Sequence, residues 1–371
     1  MLEYPNKLNI IFDKLKKNDI KPILVGGYVR DSFLDIKSKD IDIELYNATD
    51  FEQIVDILKE FGNSNIIGKS FGVVKLNFDD LDLDFSLPRI DNKVSSGHKG
   101  FEVSTIKDLD FKTASFRRDF TINAIGYDIY EKKFLDYYNG IQDLKDKKLK
   151  YIEENSFKED PLRILRAVQF CSRFELNMDE NLFSTCKDMI SKNMLNELPQ
   201  ERIFEEIKKL LLKSHKPSSG LKLLKNLDIK LFEIEKNKLK NIDNFITFKT
   251  ANERTNLIIL LALLYNNSEF NLEKISDSKS LNNQINKLLH VGAFFQNKSD
   301  KILYSVAKDI DTEILTLFLK SLNILDKNLK ILNNIKPTTH GKDLIKQGLK
   351  PSKDFSDKLQ TLYMEQINSY L

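Results

Sequence analysis

The chain has 371 residues, of which 41% are hydrophobic and 30% are charged, and its formal net charge is +3. That length favours more than one domain, and the hydrophobic fraction excludes a disordered protein, whereas the small net charge neither indicates nor excludes a nucleic-acid partner. Because no run of about 18 apolar residues exists and the N-terminus lacks the apolar core of a signal peptide, we expect a cytoplasmic protein without a membrane span.

Short β-type segments are interspersed with helical ones up to about residue 140. Branched and aromatic residues, several in period-2 alternation, predict strands in KPILVGG, DIDIELY, FGVVKLNF, LDLDFSL and FTINAIGYDIY, and helical spacing is seen in VRDSFLDI and FEQIVDILKEFG. From about residue 141 onward the spacing is helical only, with a Pro/Ser/Gly break at 215–220. The sequence therefore predicts an α+β head followed by an all-α remainder.

The first predicted strand ends at a pair of glycines and is followed by an acidic pair. Gly26 and Gly27 precede a helical segment with Arg30, and such a junction lets backbone N–H groups meet a phosphate that Arg30 could also bind. Asp40 and Asp42 are two residues apart on a predicted strand, so their carboxylates point to one face. Paired carboxylates suit Mg²⁺, which shares substrate phosphates. Taken alone, each feature is more often an ordinary turn or a charged surface.

Several common sites are excluded by spacing. The segment GNSNIIGKS (62–70) has one residue too many for a phosphate-binding P-loop and leads into a strand, where a P-loop needs a helix. The GGYVRD segment lacks the glycine spacing of a Rossmann dinucleotide site. Cys171 and Cys186 are the only cysteines in the sequence, which argues against a disulfide framework and against a zinc site.

A base-reading pair is predicted in the segment EDPLR. Its acidic residues and proline suit a helix N-terminus, and Asp160, Arg163 and Arg166 recur every three residues on one side of that helix. Cytosine and adenine present an amino donor beside a ring-nitrogen acceptor, so Asp160 can accept from the first and Arg163 can donate to the second. Guanine and uracil present a carbonyl acceptor beside an N–H donor, the reverse order. Asp160 and Arg163 would therefore select C and A without a template. Taken alone, however, the motif favours an i, i+3 salt bridge on a helix surface.

The segment RRDFTINA brings further polar side chains to a β-type region. The carboxylate of Asp119 and the amide of Asn123 can hold ribose hydroxyls, and Arg118 can pair with a triphosphate. The alternative is a charged turn that leads into a strand.

Five ordered motifs resemble those of the class II CCA-adding enzymes, the bacterial-type family of tRNA nucleotidyltransferases and poly(A) polymerases. The resemblance is close in the first half of the chain and loose in the second, where GKDLIKQGLKPS resembles the usual C-terminal segment. The motifs are LVGGYVRDSFL with KDIDIELY, RRDFTINAIGYD, LDYYNGIQDL, FKEDPLRILRAVQFCSRF and ERIFEEIKKLLLKSHKPSSGLKLL. The resemblance implies a nucleotidyltransferase head over 1–145, built as a mixed sheet with flanking helices. A helical neck, body and tail would follow over 146–215, 216–295 and 296–371.

The resemblance also implies a reaction, in which an RNA 3′-hydroxyl attacks the α-phosphate of CTP or ATP and releases pyrophosphate. Two Mg²⁺ ions held by Asp40 and Asp42 would assist, with Asp84 as a third carboxylate and Asp82 as the less favoured neighbour. The family uses Asp160, with the arginines of its motif, for nucleotide selection. The partner would be the acceptor end of tRNA, contacted by the tail, with no stable protein partner.

Departures from the family pattern bear on individual sites. Some relatives have an arginine where this chain has Gln169, which leaves a phosphate contact there open. The segment 87–103 is predicted to be a mobile loop, which in the family helps the switch from C to A addition, or an ordinary surface excursion. The region around Tyr265 and Asn266 lacks the His-Asp pair of relatives with a phosphohydrolase domain, so we expect no phosphohydrolase activity.

Three alternatives to full CCA addition remain. A member restricted to CC or to A addition would share every motif. A poly(A) polymerase is disfavoured because Gly68 is followed by one basic residue where two are expected. A non-catalytic RNA-binding protein of the same fold is disfavoured because Asp40, Asp42, Asp160 and Arg163 are all present.

Overall fold

A computed structural model describes most of the chain, and its contacts divide it into two units, Met1–Leu198 and Pro199–Leu371. The described residues are 1–62, 64–67, 72–93, 101–105, 109–266, 278–296, 310–323, 336–351 and 353–369. Each unit is built around its own helices and core. The finer division into 1–145, 146–215, 216–295 and 296–371 stays a prediction.

The first unit contains a seven-stranded mixed sheet. Its strands are β1 (Lys21–Val25), β2 (Asp40–Tyr46), β3 (Ser64–Ile67), β4 (Val73–Phe78), β5 (Leu81–Ser86), β8 (Gly126–Asp128) and β9 (Lys133–Leu135). In the order β3-β4-β5-β2-β1-β8-β9, all pairs are antiparallel except the parallel pair of β2 and β5. The central position of β2 brings its side chains next to those of β1 and β5.

Helices surround this sheet in the first unit. They are α1 (Asn9–Lys17), α2 (Gly26–Ser32), α3 (Phe51–Leu58), α4 (Phe111–Ser115), α5 (Gly140–Lys145), α6 (Glu154–Lys158), α7 (Leu162–Phe174) and α8 (Glu180–Ser191). The apolar stripe predicted on α7 is buried, including Leu162, Leu165 and Val168. Burial of that stripe fixes which side of α7 its arginines occupy.

The described part of the second unit is helical. Its helices are α9 (Gln200–Lys213), α10 (Pro217–Asn226), α11 (Lys236–Ile246), α12 (Glu253–Tyr265), α13 (Lys279–Gln296), α14 (Thr312–Ser321), α15 (Gly341–Lys346) and α16 (Lys353–Asn368). Every residue of α12 from Thr255 to Tyr265 is buried, so α12 forms the centre of this unit and contacts α9, α11, α13 and α14. No helix within the described ranges is both long and apolar enough to cross a membrane.

The predicted α+β head with a helical remainder is confirmed, with local differences. In place of a continuous loop over 87–103, β6 (Arg89–Lys93) and β7 (Phe101–Thr105) pair as an antiparallel ribbon. Residues 94–100, which include His98, lie outside the described residues. The predicted break at 215–220 is shorter, because α10 begins at Pro217, a residue that the first turn of a helix favours.

Two further differences concern strands. In the segment FTINAIGYDIY only Gly126–Asp128 is a strand, because residues 121–123 form a 3₁₀ turn. The Thr121 hydroxyl donates to Asp143 at 2.8 Å, a side-chain bond that favours the turn. The region after residue 141 is not purely helical, since β10 (Lys148–Leu149) and β11 (Asn177–Met178) form a short parallel pair.

Candidate active site

The turn between β1 and α2 lies directly against the acidic strand. Val25 pairs with Asp42 across β1 and β2, and Gly26 follows with φ +68°, a left-handed conformation that glycine adopts readily. A Cβ atom at Gly26 would lie 3.0 Å from Asp42 Oδ2 and 3.4 Å from an Arg118 guanidinium nitrogen. The lack of a side chain therefore leaves a small space that is bounded by one carboxylate and one arginine. At Gly27 a Cβ would meet only the Arg30 guanidinium, at 3.6 Å.

The acidic residues of β2 and β5 are aligned by the parallel pairing. Asp40 is in register with Asp82, and Asp42 is in register with Asp84. The Asp42 side chain is exposed, but the protein around it displaces part of its hydration and raises its pKa. Arg118 opposes that effect, and the carboxylates of Asp84, Glu44 and Asp40 add to it. The register makes Asp84 the nearer partner of Asp42, and Asp84 also pairs with Lys75 at 3.1 Å.

A ready-made metal cluster is not formed by these carboxylates. Within the described ranges, no three His, Cys, Asp or Glu side chains are grouped closely enough to hold an ion. Two carboxylates on one strand face still suit Mg²⁺, because this ion keeps waters and takes further oxygens from substrate phosphates. Asp42 fits that role, since its neighbours raise its pKa and a cation would offset their negative charge.

Glu44 is a buried member of the same row that the sequence analysis missed. It is 0% exposed, and its Oε1 accepts hydrogen bonds from Arg117 at 2.7 Å and Arg118 at 2.9 Å, while Oε2 accepts one from the Tyr46 hydroxyl at 3.0 Å. Burial alone would raise the pKa of Glu44, but the two arginines and Tyr46 outweigh it and lower the pKa. The alternation D-I-D-I-E is the signal that could have identified it, because Glu44 follows Asp42 by two residues.

Arg30 lies inward, at 5% exposure. Its guanidinium donates to Asn123 Oδ1 at 2.6 Å and to Asp31 Oδ1 at 2.6 and 2.8 Å. It also lies 4.4 Å from the centroid of the Phe174 ring, at the end of α7. In this arrangement Arg30 supports Asn123, and a direct bond to phosphate stays a prediction.

Asp119 and Asn123 continue this contact chain toward α7. The Asn123 amide donates to Asp119 Oδ1 at 2.8 Å, and Arg166 donates to Asp119 Oδ2 at 2.6 and 2.7 Å. Asp31, Arg30, Asn123, Asp119 and Arg166 therefore form one chain of contacts, which we call the polar relay. It links the helix after the glycine turn to the helix that carries the predicted base-reading motif.

The polar relay makes part of the stability dependent on pH. Burial alone would raise the pKa of Asp119, but Arg166, together with Asn123 and Arg163, lowers it below the ordinary 3.8. A lowered folded-state pKa stabilises the protein above the unfolded-state value, and this contribution is lost as pH falls through the folded-state pKa. We therefore expect Asp119→Asn to lower the free energy of unfolding by about 2 kcal/mol at neutral pH. The difference in the free energy of unfolding between the parent and Asp119→Asn should become smaller below about pH 4.

Urea unfolding at neutral pH and near pH 3 would measure that gap. Asp56→Asn is the matched control, because Asp56 is an exposed aspartate of α3 that pairs with Lys59 on the surface. A gap between Asp119→Asn and the parent that stays constant over this range would contradict the expectation.

The predicted base-reading residues lie around the start of α7. Asp160 precedes the helix, and its Oδ1 accepts a bond from the Leu162 amide at 3.1 Å. Arg163 donates to the Ser156 carbonyl at 2.8 Å and to the Arg117 carbonyl at 2.9 Å. Arg163 is thus held in place next to the arginines that bind Glu44. Gln169 is 2% exposed, and its amide nitrogen has no hydrogen-bond partner within the described part of the chain.

The structure thus brings Gly26, Asp42 and Arg118 together and connects Arg30, Asn123, Asp119 and Arg166. A mixed sheet whose central strand carries paired carboxylates, beside a strand–glycine–helix turn, defines a nucleotidyltransferase type of head domain. Residues 23–150 match the family model of the poly A polymerase head domain, and residues 175–242 match that of a probable RNA and SrmB binding site of polymerase A. The chain belongs to the family of tRNA nucleotidyltransferases and poly(A) polymerases.

Curated relatives resemble parts of the chain. The multifunctional CCA protein of Psychromonas ingrahamii is 34% identical over 55% of this chain and 48% of its own length. The A-adding tRNA nucleotidyltransferase of Aquifex aeolicus is 26% identical over 94% of this chain and 45% of its own length. The chain therefore spans about half the length of the curated relatives that it matches.

Solved structures share the fold. A CCA-adding enzyme in an apo form has a TM-score of 0.74 at 20% identity, over 98% of this chain and 92% of that one. Similar structures include CCA-adding enzyme complexes with CTP and with ATP, and the Thermotoga maritima enzyme with tRNA. At this identity, the likeness bears on the fold.

Proposed function

We propose that the protein is a CTP- and ATP-dependent tRNA nucleotidyltransferase that adds or repairs the 3′-terminal CCA. The observation that carries the proposal is the space at Gly26, which is bounded by the Asp42 carboxylate and the Arg118 guanidinium. An anion such as a triphosphate can approach the backbone there, next to one group that binds metal and one that binds phosphate.

Asp40 and Asp42 would hold Mg²⁺, with Asp84 as the third carboxylate because it is in register with Asp42. Bound Mg²⁺ would activate the RNA 3′-hydroxyl and neutralise the charge of the departing pyrophosphate. Arg118 would bind the triphosphate, and Glu44 keeps its guanidinium beside Asp42. The backbone at Gly27 adds donors at the start of α2.

Asn123 and Asp119 would receive the ribose hydroxyls, which makes the site selective for ribonucleotides. Both side chains are held by the polar relay, with Arg30 on one side and Arg166 on the other. In this scheme Arg30 and Arg166 act by fixing the groups that contact the nucleotide.

Asp160 and Arg163 would select the base by pairing with the amino group and the ring nitrogen that C and A share. The hydrogen bonds from Arg163 to the carbonyls of Ser156 and Arg117 fix the orientation of its guanidinium. A fixed donor favours a base edge with an acceptor in one position, and it leaves guanine and uracil with unpaired groups.

The acceptor end of tRNA is the proposed partner, in agreement with the RNA-binding family model over residues 175–242 and with the tRNA complex of a structural relative. We propose a cytoplasmic enzyme without a stable protein partner. Addition of A alone is the second candidate, because the relative that matches 94% of this chain is an A-adding enzyme. A poly(A) polymerase is the third.

Transcripts of tRNA that end before the first C, before the second C and before A would test this proposal. Each is incubated with CTP, with ATP and with both, and the products are resolved at one-nucleotide resolution. Extension of every transcript to CCA, and no further, supports the proposal. Extension only of the transcript that lacks A would support the A-adding candidate, and long A tails on unrelated RNA would support a poly(A) polymerase.

A further inference from the structure

The first unit contains a second concave site, of about 640 Å³, between the segment Asp110–Arg117 and α6. We call it the α4–α6 groove. Its volume lies within the range of small-ligand sites. None of the residues predicted to hold metal or nucleotide lines it. The proposed reaction has two substrates, a nucleotide and an RNA acceptor, and the residues proposed above bind the nucleotide.

An aromatic platform forms one wall of the α4–α6 groove. Phe116 is 42% exposed, and its ring lies 6.3 Å from that of Tyr138 at 50°. The Tyr138 hydroxyl donates to the Lys112 carbonyl at 2.7 Å, which fixes its ring behind Phe116. A partly exposed ring that a second ring supports is suited to stacking with an unpaired base.

The three carboxylates that line the groove all have partners within the protein. Asp110 and Glu153 are N-caps, bonded to the amides of Thr113 and of Asn155 and Ser156, and Glu159 is the third lining carboxylate. Lys112 has no ion-pair partner among the described residues. Its ammonium can therefore donate to a phosphate oxygen without breaking an existing pair.

The α4–α6 groove shares two residues with the proposed nucleotide site. Ser156 and Arg117 line the groove, and the carbonyl groups of both accept hydrogen bonds from Arg163. The Arg117 guanidinium also donates to Glu44, two residues beyond Asp42. The groove thus borders the proposed site of base selection and the strand that carries the proposed metal ligands.

We infer that the α4–α6 groove receives the 3′-terminal nucleoside of the RNA acceptor, with its base stacked on Phe116 and its 5′-phosphate beside Lys112. This inference rests on the proposed function, because it assigns the second substrate of that reaction. Stacking reads no base edge, so the groove would accept whichever base the acceptor ends with. An acceptor that gains a new terminal base at each addition requires that tolerance.

Binding of a fluorescent tRNA transcript that ends before the first C would test the inference without catalysis. Phe116→Ala should raise its Kd about tenfold, which corresponds to about 1.4 kcal/mol, whereas Phe116→Tyr should retain the parent's affinity. Tyr137→Ala is the matched control, because Tyr137 is 52% exposed nearby but does not line the groove. Lys112→Met should reduce the slope of log Kd against log salt by about 1, and Lys59→Met, which removes an exposed lysine of the same unit, should not.

The outcomes separate this inference from the proposed function. If folded Phe116→Ala binds RNA as the parent does, or if Tyr137→Ala weakens binding equally, the inference is overturned. If Phe116→Ala raises the KM for CTP as much as it raises the Kd for RNA, the inference is also overturned, since the groove would then hold the incoming nucleotide. If the parent adds no nucleotide but Phe116→Ala still weakens RNA binding tenfold, the groove binds RNA and the catalytic proposal fails.

Discussion

Asp42→Asn should reduce nucleotide addition by at least about a hundredfold, because loss of even a partner of a metal ligand costs about 10- to 100-fold. The asparagine keeps the shape of the side chain but removes the charge that would bind Mg²⁺. The fold should survive, since partial desolvation and the carboxylates of Asp84 and Glu44 disfavour the charged form of Asp42. We expect the free energy of unfolding to be unchanged or slightly raised, as is common when a strained functional charge is removed.

Initial rates of CTP incorporation over a range of Mg²⁺ concentrations would measure the loss, with urea unfolding alongside. Asp56→Asn is again the matched control, because it removes one exposed carboxylate from the same unit. If Asp42→Asn retains more than about a tenth of the parent's rate, the metal assignment is wrong. A fall in rate that parallels a fall in stability would assign Asp42 to the fold instead.

Glu44→Gln is expected to cause the largest loss of stability, about 3–5 kcal/mol at neutral pH. The carboxylate is fully buried and accepts from Arg117, Arg118 and Tyr46. An amide in its place leaves two arginines without a countercharge, and its NH₂ group faces donors on at least one side. Nucleotide addition should also fall, since Arg118 then loses the group that holds it beside Asp42.

Urea unfolding at neutral pH measures this effect directly. Glu131→Gln is the comparison, because Glu131 also pairs with two cations, Lys21 and Lys133, but is half-exposed at the surface. Its replacement should change stability far less, as solvent screens exposed pairs. Equal losses in the two variants would show that burial of the Glu44 cluster does not determine its contribution.

The sheet could be predicted because alternation in β1, β2, β4 and β5 is a local property of the sequence. The direction in which charged side chains point could not be predicted from the sequence. Arg30 follows a glycine turn as a phosphate ligand would, yet it turns toward rings of α7, more than 130 residues away in the chain. Glu44 is buried because Arg117 and Arg118 reach it from a distant segment. Spacing within one segment contains no information about such partners.

The choice between Asp82 and Asp84 shows the same limit on a smaller scale. Both lie on one face of β5, so alternation cannot separate them. The register with β2 places Asp84 beside Asp42 and Asp82 beside Asp40, and the choice of Asp84 as the third carboxylate stays a prediction. The arrangement of 89–93 as a strand likewise depends on its partner strand, since that segment is polar and contains no strong strand signal of its own.

The polar relay would limit how the proposed nucleotide preference can change by mutation. Arg166 lies on the same helix as Arg163, but it is the countercharge of Asp119, whose other oxygen is bonded to Asn123 and through it to Arg30. Replacing Arg166 would therefore require compensating substitutions in two other segments of the chain. Arg163 also lowers the pKa of Asp119, but its hydrogen bonds go to the carbonyls of Ser156 and Arg117. If the proposed roles hold, substitutions at Asp160 or Arg163 would alter the accepted base in single steps, while the groups proposed to hold the ribose would keep their partners.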